Sequence, residues 1–127
     1  MSSVLLVDDA PELRELVSTI LTDEGFDVTA FDAAEEALTH IDLVLPDLLI
    51  LDGRLTRMSG WQCFQLLRAS ERTEKLPVLM LTAAVDDVQR AEQPADDCTA
   101  YVTKPFDIDE LLAKIDELIE TCAQAPA

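Results

Sequence analysis

Residues 48–52 have the sequence Leu-Leu-Ile-Leu-Asp, a run of four large apolar residues that stops at a carboxylate. The same pattern recurs three times. Apolar runs at 4–7 and 78–81 are followed by Asp8 and Asp9 and by Thr82, and the run at 101–102 is followed, after Thr103, by Lys104. Short apolar runs without alternation are typical of strands that are buried on both faces. This pattern predicts a parallel sheet that is covered by helices on both sides.

The polar residues at the ends of these runs are predicted to lie close together. In an open parallel sheet, ligands bind beyond the carboxyl ends of the strands. Asp8, Asp9, Asp52, Thr82 and Lys104 all stand at such ends, although they come from distant parts of the chain. A solvated turn would explain one Asp-Asp pair, but it does not explain four matching strand ends.

Helical patterns separate the strand candidates and complete the predicted fold. Apolar spacing of 3, 4, 7 and 8 predicts a helix over 11–24, which ends at Gly25 because glycine accepts a left-handed conformation. A second strand is predicted over 27–31. Two further helices are predicted to begin at Asp32, with Glu35 as a capping box, and at Ser59 with Gln62. A short helix is predicted from about 86 to 92, before Pro94, and the last helix is predicted to begin at Asp107 with Glu110. The predicted fold class is therefore α/β, a (βα)5 doubly wound sheet of five parallel strands.

Length and charge limit the organisation of the chain and its partners. The 127 residues predict one domain over 1–127, with a core over about 4–120 and a frayed carboxyl-terminal tail. A net charge of −17 argues against nucleic acid and anionic membrane surfaces as direct partners. The acidity fits either a saline cytoplasm or an ordinary acidic surface, and the sequence leaves both open.

The cysteines and the amino terminus favour a cytoplasmic protein. Cys63, Cys98 and Cys122 form no C-x-x-C pair and cannot all pair internally, so reduced thiols are expected. The first residues lack the basic segment of a signal peptide, and no apolar run is long enough to span a membrane.

The predicted cluster has the chemistry of a metal and phosphate site. Two unit charges at about 4 Å repel by roughly 4 kcal/mol at an effective dielectric of 20, so Asp8, Asp9 and Asp52 need a cation. Oxygen ligands alone favour Mg²⁺, with Mn²⁺ as an alternative. Lys104 is suited to phosphate oxygens, and the Thr82 hydroxyl and Ala83 backbone N–H add donors. A carboxylate beside two cations is arranged to attack phosphorus.

Four motifs together resemble the receiver domain of two-component response regulators. They are Val-Asp-Asp-Ala-Pro (7–11), Leu-Leu-Ile-Leu-Asp-Gly-Arg-Leu (48–55), Leu-Thr-Ala (81–83) and Tyr-Val-Thr-Lys-Pro-Phe (101–106). The resemblance extends from Val4 to about Ile119 and implies a flavodoxin-like receiver fold. It also implies a signalling phosphoprotein rather than an enzyme acting on other substrates.

The resemblance implies a role for each residue of the cluster. Asp52 accepts a phosphoryl group from a phosphohistidine of a sensor histidine kinase or a histidine phosphotransfer protein. Asp9, Asp52 and the backbone carbonyl of Arg54 bind Mg²⁺ directly, and Asp8 binds it through water. Thr82, Ala83 and Lys104 contact the phosphoryl group. The switch residues are Thr82, Tyr101 and Pro105, and the Lys104-Pro105 bond is expected to be cis.

The downstream partner and the extent of the protein stay open at this stage. By the resemblance, an unidentified protein target binds the face formed by the predicted fourth helix, the fifth strand and the last helix. The chain contains no DNA-binding or catalytic output domain. It therefore either acts alone or is a part of a longer protein.

Two other classes of function compete with this interpretation. A haloacid-dehalogenase-like phosphohydrolase also forms an aspartyl phosphate, but it requires Asp-x-Asp-x-Thr where this chain has Asp8-Asp9-Ala10-Pro11. A pseudo-receiver, which is a phosphorylation-independent interaction module, normally lacks an acidic residue or the lysine, and this chain keeps them. A P-loop is not present, since the chain has only three glycines.

Overall fold

A computed structural model describes residues 2–55, 57–82 and 98–122, and of Thr82 it describes the backbone. The strands are β1 (Ser3–Val7), β2 (Asp27–Phe31), β3 (Leu48–Asp52), β4 (Val78–Thr82) and β5 (Thr99–Thr103). The helices in the described ranges are α1 (Pro11–Asp23), α2 (Ala34–Leu43), α3 (Gly60–Arg68) and α4 (Ile108–Thr121). The helix predicted over 86–92, Ala83 and the predicted frayed tail from 123 lie outside the described residues.

The five strands form one parallel sheet in the order β2-β1-β3-β4-β5, which confirms the predicted fold class. Every residue of the central strand β3 is buried, because helices cover both of its faces. One core cluster joins the sheet to α2 and α3, and a second joins its other face to α1 and α4. No helix in the described ranges is both long enough and apolar enough to cross a bilayer.

Strand register brings the ends of β1 and β3 side by side. Val7 of β1 pairs with Leu51 of β3. Asp8 directly follows β1 and Asp52 is the last residue of β3, so the two residues lie side by side where the strands end. The buried apolar runs therefore fix where these two carboxylates lie.

In the described ranges, most of the predicted helix ends are confirmed, and the start of α2 is wrong. Gly25 has φ +94° after α1, and Ser59 with Gln62 forms the predicted capping box of α3. Asp107 caps α4 by accepting from the Asp109 N–H rather than through Glu110.

The predicted capping box of Asp32 and Glu35 is not formed. Ala33 is the N-cap of α2 and makes no side-chain cap hydrogen bond. Asp32 lies one residue too early to act as the cap. Glu35 instead faces Arg57 across a distance of 3.8 Å between a carboxylate oxygen and Nε.

The expectation of three reduced thiols is wrong for one pair. Cys98 and Cys122 form a disulfide with 5.2 Å between their Cα atoms, whereas Cys63 is a buried free thiol. The two partners are 24 residues apart in sequence. Only the packing of α4 against the strand that follows Cys98 brings them together, so the sequence spacing gave no sign of the pair.

Arg68 lies at the amino ends of β4 and β5, whereas the aspartates lie at the carboxyl ends of their strands. Its guanidinium donates hydrogen bonds to the carbonyl oxygens of Thr73, Leu76 and Cys98 and to the hydroxyl of Thr99, at 2.8–3.1 Å. One side chain from α3 therefore connects the segment before β4 with the start of β5.

Gly60 allows α3 to start directly against the end of β3. Its N–H donates to the carbonyl of Gly53 at 3.1 Å, and a Cβ at Gly60 would overlap the carbonyl oxygen of Asp52. The backbone around Asp52 is thus held by a contact that only glycine permits.

We expect Gly60→Ala to lower the free energy of unfolding by about 3 kcal/mol, because the overlap is with backbone and no rotamer change relieves it. Urea denaturation measures this loss. Gly25→Ala is the matched control, since its φ is positive but its Cβ would meet nothing within 4 Å. The control should lose only about 1–2 kcal/mol from the strained backbone. An equal loss in both variants would contradict the steric explanation.

Candidate functional site

Asp8 and Asp52 adopt the same local structure at the ends of adjacent strands. Oδ1 of Asp8 accepts the N–H of Ala10, and Oδ1 of Asp52 accepts the N–H of Arg54, both at 2.9 Å. Aspartate commonly closes a turn by bonding to the backbone two residues later. Each carboxylate is thereby oriented by its own chain, and Oδ2 is left for other contacts.

Lys104 reaches both carboxylates from the end of β5. Its Nζ lies 3.0 Å from Oδ2 of Asp52 and 3.4 Å from Oδ2 of Asp8. The carboxylate side chains are 7% and 1% exposed, whereas the lysine side chain is 24% exposed. Charged groups with so little access to water are stabilised by close partners, and the ammonium adds to the backbone N–H groups in that role.

Asp9 completes a cluster of three carboxylates. Asp8, Asp9 and Asp52 each offer an oxygen, and these atoms lie within 4.8 Å of one another. Asp9 is the most accessible of the three. With Lys104 the group keeps a net formal charge of −2, and its donors are oxygens. Such a group fits a hard divalent cation such as Mg²⁺ or Mn²⁺.

The ionisation of Asp52 reflects competing effects. Burial raises the pKa of this carboxyl above its ordinary value, and the nearby Asp8 charge acts in the same direction. The Arg54 N–H and Lys104 oppose that rise. Desolvation is the largest of these effects. An added cation would therefore favour the ionised form of Asp52.

The other predicted site residues lie near this edge to different extents. Thr82 is the last residue of β4 and pairs with Thr103, next to Lys104. The Lys104-Pro105 bond is cis, as the resemblance implied. The Tyr101 ring lies 6.1 Å from the Trp61 ring and is half-buried against the core.

A small cavity beside Asp9 was not predicted. Its volume is about 180 Å³, and its other lining residues are Asp32, Ala33, Glu35, Leu55 and Arg57. Phe31, the last residue of β2, pairs with Val7, the last residue of β1. Asp32 and Asp8 therefore follow the carboxyl ends of neighbouring strands. The rule that polar residues gather at strand ends would have found Asp32. The Glu35 and Arg57 contact depends on tertiary packing and had no signal in the sequence.

Comparison with known proteins gives matches over nearly the whole chain. The family model described as the response regulator receiver domain matches residues 4–116. The DNA-binding dual master transcriptional regulator RpaA of Synechocystis is 39% identical over 99% of this chain and 52% of that protein. The chain thus spans about half the length of the curated relatives it matches.

Two solved structures show the same fold. The response regulator protein TrrA of Thermotoga maritima, in complex with Mg(2+)-BeF, has a TM-score of 0.82 and 32% identity, over 93% of this chain and 99% of that one. The signal receiver domain of a histidine kinase from Syntrophus aciditrophicus has a TM-score of 0.89 and 25% identity, over 100% and 96%. Since the family model matches most of the chain, this protein belongs to the response regulator receiver domain family of two-component signalling.

Proposed function

We propose that this protein is a signalling switch in which Asp52 accepts a phosphoryl group from a phosphohistidine. The donor is a sensor histidine kinase or a histidine phosphotransfer protein. The observation that carries the proposal is the buried Asp52 carboxylate, with the Lys104 ammonium at 3.0 Å and two further carboxylates close by. In this proposal the protein catalyses only its own phosphorylation and dephosphorylation.

The proposed chemistry is an in-line transfer. A carboxylate oxygen of Asp52 forms a bond to phosphorus while the bond from phosphorus to the histidine nitrogen breaks. Such transfers depend on positioning and on charges that stabilise the phosphoryl oxygens. Lys104 supplies one positive charge. We assign two further phosphoryl contacts to the Thr82 hydroxyl and the Ala83 N–H.

A divalent ion supplies the second positive charge when it is bound. We propose that Asp9, Asp52 and the Arg54 carbonyl bind Mg²⁺, with Asp8 acting through water. The all-oxygen donor set supports this choice and also admits Mn²⁺. The relative from Thermotoga maritima with Mg(2+)-BeF supports it further.

We propose that phosphorylation changes a partner-binding face through Thr82, Tyr101 and Pro105. That face includes the predicted helix over 86–92, β5 and α4, and its target is another protein. The half-buried position of Tyr101 on β5, three residues before Lys104, supports a link between the two.

We also propose that residues 1–127 form a single receiver domain that acts in the cytoplasm, where its phosphohistidine donors are expected. RpaA is described as DNA-binding, but this chain matches only about half of that protein. The charge of −17 opposes contact with phosphates, so we propose no direct binding of nucleic acid or membrane by this chain.

Asp52→Asn should abolish phosphorylation, because the amide lacks the nucleophilic oxygen pair of a carboxylate. The test is incubation with acetyl phosphate and Mg²⁺, followed by intact-mass measurement for one added phosphoryl group. Asp116→Asn, which removes the same charge from an exposed position on α4, should be phosphorylated like the wild type.

The same measurement separates the competing functions. A lasting phosphorylated species supports the receiver function, rapid turnover of donor without that species indicates a phosphohydrolase, and no reaction indicates a pseudo-receiver. Phosphorylation of the Asp52→Asn variant at the wild-type rate would show that another residue is the acceptor.

Mg²⁺ should stabilise the folded protein, because it relieves repulsion among carboxylates that cluster only in the native state. An ion at a hundred times its dissociation constant adds about 2.7 kcal/mol to the free energy of unfolding. Thermal unfolding at constant ionic strength measures this effect. Asp9→Asn should lose most of the response, and Asp116→Asn should keep it. A wild-type melting temperature that is indifferent to millimolar Mg²⁺ would rule out the metal site.

Without metal, ionised Asp52 should lower stability at neutral pH. Because burial raises its pKa in the folded state, the folded protein binds this proton more readily than the unfolded chain does. In chelator at pH 7, Asp52→Asn should therefore melt at a higher temperature than the wild type. The difference should vanish as the pH falls through the raised pKa toward 3.8, the ordinary value. A difference that does not change with pH would contradict this assignment.

A further inference from the structure

The Cys98–Cys122 disulfide joins the start of one element to the end of another. Cys98 directly precedes β5, and Cys122 is the C-cap of α4. The Cα separation of 5.2 Å lies within the ordinary range for a disulfide. The third thiol, Cys63, is in the core, where burial raises its pKa to about 12 and makes it unreactive.

Cys122 has a second potential partner besides Cys98. Its Sγ lies 3.2 Å from the carbonyl oxygen of Lys75, in the segment before β4. A disulfide sulfur carries no hydrogen, so this contact becomes a hydrogen bond only when Cys122 is a thiol. The site therefore gives Cys122 a partner in the oxidised form and another in the reduced form.

The backbone around Cys98 and Lys75, the two partners of Cys122, is held independently of the sulfur–sulfur bond. Arg68 binds the carbonyl of Cys98 and also the carbonyls of Thr73 and Leu76, which flank Lys75. Breaking the disulfide leaves these hydrogen bonds in place. Reduction can therefore occur within a folded protein.

We propose that Cys98 and Cys122 form a reversible thiol–disulfide site that responds to low-molecular-weight disulfides such as glutathione disulfide. The Cys98 thiolate attacks the small disulfide, forms a mixed disulfide and releases one glutathione thiolate. The Cys122 thiolate then attacks the Cys98 sulfur and releases the second. The protein loses two protons and two electrons, and the small disulfide is reduced to two thiols.

Access supports this order of steps. Cys98 is partly exposed, whereas Cys122 is 7% exposed. The small molecule therefore meets Cys98 first. In the oxidised form the covalent link closes a loop that contains β5, Lys104 and α4, and it fixes the end of α4 to the start of β5.

The test uses the whole chain equilibrated with excess glutathione disulfide or excess dithiothreitol in native buffer. After alkylation under denaturing conditions, the number of alkylated cysteines should be one in the first sample and three in the second. The oxidised form should melt about 10 °C higher, because the link restricts the unfolded chain. Amide hydrogen exchange in β5 and the last turn of α4 should be slower in the oxidised form.

Variants separate this pair from other effects of the reagents. Cys98→Ser should melt like the reduced wild type in both conditions, and Cys122→Ser should do the same. Cys63→Ala should keep the full shift, since Cys63 takes no part. The proposal is overturned if the pair stays reduced in glutathione disulfide. It is also overturned if native protein resists dithiothreitol, which would make the link a permanent cross-link, or if Cys98→Ser keeps the shift.

Discussion

The contact between the Lys104 ammonium and two buried carboxylates is the interaction on which this edge of the molecule depends. The folding of the apolar strands places Asp8 and Asp52 where water has little access, and desolvation disfavours their charged forms. Lys104 offsets part of that cost from the carboxyl end of β5, the strand at the edge of the sheet. With Asp9 also present, one ammonium does not neutralise the group, and the arrangement favours a further cation.

The precision of this cluster comes from the backbone more than from the side chains. Asp8 and Asp52 are each oriented by a turn that their own carboxylate closes, and strand pairing sets the distance between them. Gly60 lets α3 press against the carbonyl of Asp52, which holds the end of β3. The carboxylate cluster is thus supported by rigid elements, which keep its charges preorganised.

The sequence predicted what local patterns determine and missed what only packing determines. Continuous apolar runs at 48–51 and 78–81 were sufficient to predict parallel strands, and the residues after them predicted a convergent site. The Ser59 cap was predicted because its signal is local. The same signal at Asp32 failed, since the chain turns one residue later. Cys98 and Cys122 meet through packing of β5 and α4, which sequence spacing does not encode.

The separation in sequence between the contacting groups has a consequence for folding kinetics. Lys104 is 96 positions from Asp8 and 52 from Asp52, so these ion pairs join distant parts of the chain. Forming contacts of such long sequence separation costs chain entropy, because the intervening loop must be closed. The first strand leaves a ribosome long before the fifth is made. The cluster of Asp8, Asp52 and Lys104 therefore cannot assemble in a nascent chain until β5 and the lysine after it have emerged.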